Sequence, residues 1–281
     1  MKILVCIKQI ACVYAQTGLD PDQQFLSSED RVYRVNPCDE VATEMAIRLK
    51  EANEGVHVSL LTIGPLIAED ELRRCMAFGA DHLYQIMANG DGDPRIKSGL
   101  LAAAVSLLGF DLVLCGRESY DRKSGQVPAY TANELDWPFV SAVTELDMAT
   151  QNGRGSAWRN CGRGAWERVS FPLPALLSVE VGKTEPRIPV YDNRIAAGSA
   201  EILELNFEKV PREAHVRKGR TFPPRPRAGK VYPPDSRSDA YRRTEELLKG
   251  SSMEKKGQIL TGSPDSQMDG MMAFLKERGF L

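Results

Sequence analysis

The 281-residue chain is poor in histidine, with only His57, His82 and His215, and none of the three stands beside a serine or cysteine in a nucleophile setting. It has no HExxH, GxSxG, Walker A or GxGxxG pattern, so metalloprotease, serine-hydrolase, P-loop and dinucleotide-fingerprint readings lose their usual support. Its six cysteines, Cys6, Cys12, Cys38, Cys75, Cys115 and Cys161, form no CxxC pair and no zinc spacing. They read as reduced packing residues, and no metal site is expected. No apolar run approaches the roughly 20 residues of a membrane helix. The first apolar stretch, Ile3 to Ile7, is too short for a signal-peptide core, so the expectation is a cytoplasmic chain without membrane insertion. Charge of one sign is lacking too: 36 Lys and Arg face 38 Asp and Glu, a formal charge of -2, which argues against nucleic acid as a partner.

What is present is a regular alternation. Ile3 to Ile7, Val56 to Ile63 and Asp111 to Cys115 are short continuous apolar runs of the kind buried on both faces of a parallel sheet, and His82 to Ile86 is a fourth strand candidate. Helical period fills the gaps. Asn36 can cap a helix that Pro37 opens, with Asp39 and Glu40 favouring its dipole and Val41, Ala42, Met45, Ala46 and Leu49 on one face; Gly55 stops it. Further helices are expected over 68–78 and 96–108, and Leu107 and Leu108 fall on the apolar stripe of the latter. This is the pattern of a doubly wound, mostly parallel α/β sheet, whose ligands sit at the carboxyl ends of the strands. Functional loops should therefore follow Ile7, Ile63 and Cys115.

Beyond Val140 the pattern changes to short alternating runs, Ser141 to Leu146, Trp166 to Phe171 and Ala175 to Glu180, with a turn region around 151–156, which predicts antiparallel additions to the sheet. Trp158 and Trp166 read as a cross-strand packing pair. Residues 211–237 hold eight Lys or Arg against two Asp or Glu, a local charge of +6, together with six Pro. Such a segment cannot build its own core and reads as an extended arm leading to two short helices, over 239–249 and 266–278.

Among polar clusters, GRESYDRKSGQVP, from Gly116 to Pro128, stands out because it leaves a buried strand and enters a helix candidate, Gln126 to Leu135. Ser124 and Gly125 at that helix start would aim free N–H groups outward, a setting that suits a phosphate, and Arg122 and Lys123 could add positive charge. A capped surface loop is the plainer alternative. Lys8, Gln9 and Ile10 follow the first strand, while Thr62, Ile63, Gly64 and Pro65 follow a later one, so three strand-end loops could enclose one adenine nucleotide.

The ordered series VCIKQI at Val5 to Ile10, RVNPCDEVATEMAIRLKE from Arg31, IGP at Ile63 to Pro65, GADHLYQI from Gly79, DLVLCGRESYDRKSGQ with ELDWP ending at Pro138, and LPALLSVEVGKTEPRIP from Leu173 to Pro189 resembles the beta subunit of electron transfer flavoprotein. The resemblance covers about residues 1–210, and KKGQILTGSPDSQMDGMMAFLKERGFL resembles the carboxyl end of some members. It implies a Rossmann-like sheet of the adenine nucleotide alpha hydrolase kind over 1–210, a basic proline-rich arm over 211–238 and a helical segment over 239–281 that packs on the alpha subunit. It also implies a heterodimer in which FAD is shared with alpha and AMP sits in beta. Electrons would pass from acyl-CoA or related dehydrogenases to a quinone oxidoreductase or another acceptor, and beta alone would not be an enzyme.

Carried over by position, the nucleotide site comprises Gln9, Ile10, Asn36, Thr62, Ile63, Gly64, Gly116, Asp121, Arg122, Lys123, Ser124, Gly125, Gln126 and Val127. Electron-bifurcating relatives, which bind a second FAD in place of AMP and oxidise NADH, usually show a glycine and an acidic residue after the aspartate. Arg122 and Lys123 stand at those positions, so the resemblance favours AMP over a second FAD. Partner recognition falls on Glu185, Pro186 and Arg187 and on a loop running from Tyr191 through Ile195 to Ala197, with Tyr191 in place of the usual anchor leucine. An adenine-nucleotide sensor without a flavoprotein partner is the competing reading from another class.

Overall fold

In the computed structural model the described residues are 1–13, 31–88, 93–149, 153–207, 237–249 and 259–277. They divide into two compact units, residues 1–222 and 223–281. The first unit is built on a nine-stranded sheet in the order β11-β5-β4-β1-β6-β10-β7-β8-β9. Its central strands β1 (Lys2–Cys6), β4 (His57–Ile63) and β6 (Leu112–Gly116) are the three apolar runs of the sequence, and all pair in parallel. β5 (His82–Ile86) and β11 (Ile202–Leu205) continue the sheet on one side.

The runs are apolar throughout because both faces are covered. Ile3, Val5, Val58, Leu60, Leu112 and Leu114 pack in one core with α1 (Pro37–Ala52) and α2 (Glu69–Met76), whereas Leu4, Leu61, Val113 and Cys115 pack in a second core with α3 (Pro94–Leu108) and α4 (Gln126–Leu135). The helices change face where the chain crosses from β5 to β6, on the other side of β1. The loops after β1 and β6 therefore diverge and leave a crevice at the carboxyl ends of the strands. The doubly wound α/β class expected from the sequence is the one found.

Several details differ from the sequence reading. α3 begins two residues early, because the Asp93 side chain accepts from the Arg95 N–H and caps it, and Leu107 is exposed rather than inward. β10 (Ala175–Val179) is not an antiparallel addition: it lies parallel between β6 and β7 (Phe139–Ala149), buried at every position. The expected turn around 151–156 is shorter, since β8 (Arg154–Gly162) starts within it and forms an antiparallel ladder with β7 and with β9 (Ala165–Pro172). The two tryptophans are not direct partners; Trp158 pairs with Arg168 and Trp166 with Asn160. The segment after Glu185-Pro186-Arg187 is not a loop but a helix, α5 (Tyr191–Ser199).

A smaller sheet pairs β2 (Gln9–Val13) with β3 (Arg31–Val35), which returns the chain to Asn36 and α1. All six cysteines are free; Cys38, Cys75 and Cys115 are buried and Cys6 and Cys12 partly so, whereas Cys161, read as a packing residue, is exposed. In the second unit, α6 (Ala240–Lys249) and α7 (Pro264–Glu277) match the two helices expected there; Leu260 packs against α7 at Gly270. The basic arm lies almost wholly outside the described residues. Among the described residues no helix is long and apolar enough to cross a membrane.

Candidate functional site

A cleft of about 360 Å³ opens at the carboxyl ends of β1, β4 and β6, on the face covered by α3 and α4. Its floor is apolar, made by Leu61, Ile63 and Leu101 together with the register partners Cys6 and Cys115. Its rim is polar: Lys8 and Gln9 from the loop after β1, Gly64 and Pro65 from the loop after β4, and Arg117 to Ser119, Asp121, Arg122, Ser124 and Gly125 from the loop after β6, with Gln126 and Val127 at the start of α4. The three strand ends expected from the sequence thus converge on one cavity.

The loops are tied together across the cleft. Lys8 Nζ donates to Asp121 Oδ1 and Oδ2 at 2.6 and 2.7 Å and to Ser119 Oγ at 3.0 Å, which joins the β1 loop to the β6 loop. Burial raises the Asp121 carboxyl, but the bonds from Lys8 and Ser119 outweigh it and hold the group below its ordinary range. Gln9 spans the other gap: its Nε2 donates to Pro65 O at 2.9 Å, and its Oε1 accepts from the Ala68 N–H at 2.6 Å. Gln85 Nε2 donates to Gly64 O and fixes the β4 loop from behind.

The start of α1 closes the back of the site. Asn36 was expected to cap that helix, but its side chain makes no capping bond; Nδ2 donates to Asp39 Oδ1 and Glu118 O, and Oδ1 accepts from the Tyr120 N–H. Asp39, read from sequence only as a charge favouring the dipole, is buried and accepts the Lys8 N–H on Oδ2 at 2.8 Å. Desolvation pushes its carboxyl up to about 7, and donation from Asn36, Lys8 and Gly116 keeps it from rising further. A Cβ at Gly116 would stand 2.1 Å from Asp39 Oδ1, so the glycine is what lets this carboxylate reach across the strand ends.

At the opposite rim α4 begins with no side-chain cap; Gly125, at φ +60°, is its N-cap, and Gln126 and Val127 occupy its first turn facing the cleft. First-turn N–H groups without intrahelical partners, with the helix dipole behind them, accept an anion. An apolar floor below a polar rim and one anion-accepting end fit the parts of a nucleotide: base, ribose and phosphate. A protein with this sheet order and a cleft at its strand ends belongs to the doubly wound α/β class.

Of the fourteen residues expected here, Gln9, Asn36, Ile63, Gly64, Gly116, Asp121, Arg122, Ser124, Gly125, Gln126 and Val127 line the cleft. Ile10, Thr62 and Lys123 do not; Ile10 is buried, Lys123 is exposed, and Thr62 Oγ1 is buried with no hydrogen-bond partner. Sequence reasoning missed Asp39, Tyr33, Ile67, Lys97 and Cys6, and named Lys8 without giving it a role. The Lys8–Asp121 pair joins residues 113 apart, which no local pattern signals.

Glu185, Pro186, Arg187, Tyr191 and Ile195 are absent from the cleft lining and mark a second feature. Arg187 reaches α1, donating to Glu44 Oε2 through Nε at 2.7 Å and through its backbone N–H at 3.2 Å, and to Glu51 through both terminal nitrogens. Burial would raise the Glu44 carboxyl, but Arg187 and Arg48 hold it below its ordinary value of 4.5. Ile188, Val190, Tyr191 and Ile195, which follow, are all exposed.

Comparison with known proteins makes the class particular. The family model of the electron transfer flavoprotein domain matches residues 25–210, about two thirds of the chain. The electron transfer flavoprotein beta subunit of Bacillus subtilis (strain 168) is 31% identical over 206 residues, covering 70% of this chain and 79% of that protein. The caffeyl-CoA reductase-Etf complex subunit CarD of Acetobacterium woodii is 31% identical over 213 residues, 75% of this chain and 80% of its own length. The beta subunit of Megasphaera elsdenii is 29% identical over 219 residues, 75% and 80%. The chain belongs to the electron transfer flavoprotein beta-subunit family, and its role is electron transport as part of a flavoprotein.

Proposed function

We propose that this chain is the beta subunit of a heterodimeric electron carrier, that its cleft holds AMP as a structural nucleotide, and that FAD is held at the interface with an alpha subunit. The observation that carries the proposal is the convergence of three strand-end loops and the uncapped start of α4 on one cavity of nucleotide character. The apolar floor takes the adenine, Gln9 and Asn36 lie at the sides, and the phosphate meets the first-turn N–H groups of Gln126 and Val127. FAD supplies the redox chemistry when bound; this chain's cleft residues fix loops and carry no electrons. The arm over 211–238 and the helices over 239–281 embrace alpha, and the exposed apolar face of α7, with Met268, Met271 and Met272, is suited to that contact. The pair works in the cytoplasm between acyl-CoA or related dehydrogenases and a quinone oxidoreductase or other acceptor.

A second reading places FAD in the cleft and makes the heterodimer an NADH-oxidising, bifurcating flavoprotein. Arg122, facing the cleft, and Lys123 beside it stand where that reading calls for a glycine and an acidic residue. Anaerobic addition of NADH to the purified heterodimer separates the two. The carrier reading expects the flavin spectrum to stay oxidised; rapid bleaching by NADH would favour the second.

A further inference from the structure

We propose that Arg187 and Arg73 are positioning residues that hold the exposed apolar segment from Ile188 to Ile195 in one fixed form for a dehydrogenase to dock, an inference resting on the dehydrogenase partner proposed above and on the recognition role that the family resemblance implies for that segment. The side chains of this segment do not hold it in place. Ile188 is 91% exposed and Tyr191 73%, while α5 buries only Ala197. A helix of nine residues is too short to be stable by itself in water, so something other than an apolar face orders it.

Two arginines are placed to do this. Before the segment, the Arg187 guanidinium engages two carboxylates of α1, Glu44 and Glu51, while Arg48 donates to Glu185 O. After it, Arg73 of α2 donates from one terminal nitrogen to Ala197 O at 2.7 Å and Ala200 O at 2.9 Å. These carbonyls belong to the last turn and C-cap of α5, where a cation also meets the negative end of the helix dipole. Glu69 in turn holds Arg73 Nε at 2.8 Å. Charges thus staple both ends of a segment that leaves its four large apolar side chains in solvent. Fixing those side chains beforehand lowers the ordering cost of association, which is how a small exposed patch gains affinity without new contacts.

The test uses the intact heterodimer as the varied substrate of a short-chain acyl-CoA dehydrogenase, supplied with its acyl-CoA and chosen because it reduces the wild-type protein. The paired variant Glu44→Gln/Arg187→Gln removes the staple without stranding a buried charge. It is expected to raise KM about tenfold with kcat within about twofold, leave flavin content and heterodimer mass unchanged, and speed amide exchange over 188–199. Arg187→Lys, which keeps the charge but not the fork, should fall in between. Tyr191→Ala should raise KM without altering amide exchange. Wild-type KM in the paired variant while Tyr191→Ala is impaired would overturn the positioning role. Wild-type KM in both, or no acyl-CoA dehydrogenase that reduces the wild-type heterodimer, would overturn the recognition reading beneath it.

Discussion

Gly116→Ala is expected to destabilise the chain by about 3 kcal/mol, near the upper end for overpacking, and to abolish nucleotide retention in the cleft. The added methyl would meet three atoms at once: Asp39 Oδ1 at 2.1 Å, Cys38 Cβ at 2.9 Å and Asn36 Nδ2 at 3.0 Å. None of these is the free end of a flexible side chain. Asp39 is held by the Lys8 N–H and by Asn36, Asn36 is held by the β6 loop, and Cys38 lies in the buried first turn of α1. Relief must therefore come from moving α1 away from β6, which breaks the floor and back of the cleft together. Gly55→Ala is the control. Gly55 has φ +75° but nothing within 4 Å of a Cβ, so it should cost only the conformational strain, about 1 kcal/mol, and leave the cleft intact. Urea unfolding of both variants, with nucleotide content measured in parallel, checks the contrast; equal losses would show that the close approach at Gly116 does not matter.

Arg187→Gln is expected to cost about 3 kcal/mol at neutral pH, because it takes from a buried carboxylate its bidentate partner and leaves only Arg48. The paired variant Glu44→Gln/Arg187→Gln should be more stable than Arg187→Gln alone, since no charge is then stranded. The sign with pH follows from the lowered Glu44 group. Its contribution in the wild type is complete above the ordinary value of 4.5 and is lost as pH falls through the lowered one. The gap between wild type and Arg187→Gln should accordingly be widest near neutrality and narrow below about 4.5. Unfolding midpoints across that pH range test this, and a gap that stays constant into acid would contradict it.

Much of the sheet was legible because its physics is local. A parallel strand covered on both faces must be apolar at every position, which is why Ile3 to Ile7, Val56 to Ile63 and Asp111 to Cys115 all proved to be central strands, within a residue or so at each end. α4 was found at its observed limits because a Ser-Gly start and a change of period mark it in sequence. What escaped depends on neighbours far along the chain. β10 follows the alternating runs of β7 to β9 in sequence, and only its place between β6 and β7 makes it a parallel core strand. α5 carries no apolar stripe of its own and is fixed by carboxylates and an arginine from α1 and α2, more than 100 residues away.

The candidate site shows the same division. Gly64, Gly116 and the Asp121 to Val127 loop could be placed at strand ends from pattern and resemblance, and Gly64 and Gly116 do face the cleft. Asp39 could not, because a carboxylate in the first turn of a helix is ordinarily a solvated complement to the dipole. Its burial follows from the lack of a side chain at Gly116, on a strand 77 positions later. Thr62 was included because its loop faces the site, but strand alternation turns its side chain away from Leu61 and Ile63, the two neighbours that form the floor.

The central claim, one structural adenine nucleotide in the beta cleft and one flavin shared with alpha, is tested most directly by counting. The chain is co-purified with its natural alpha partner, the nucleotides are released with acid, and FAD and AMP are quantified per heterodimer by chromatography. One FAD and one AMP per heterodimer are expected. Two FAD without AMP, or a heterodimer with FAD and an empty cleft, would contradict it.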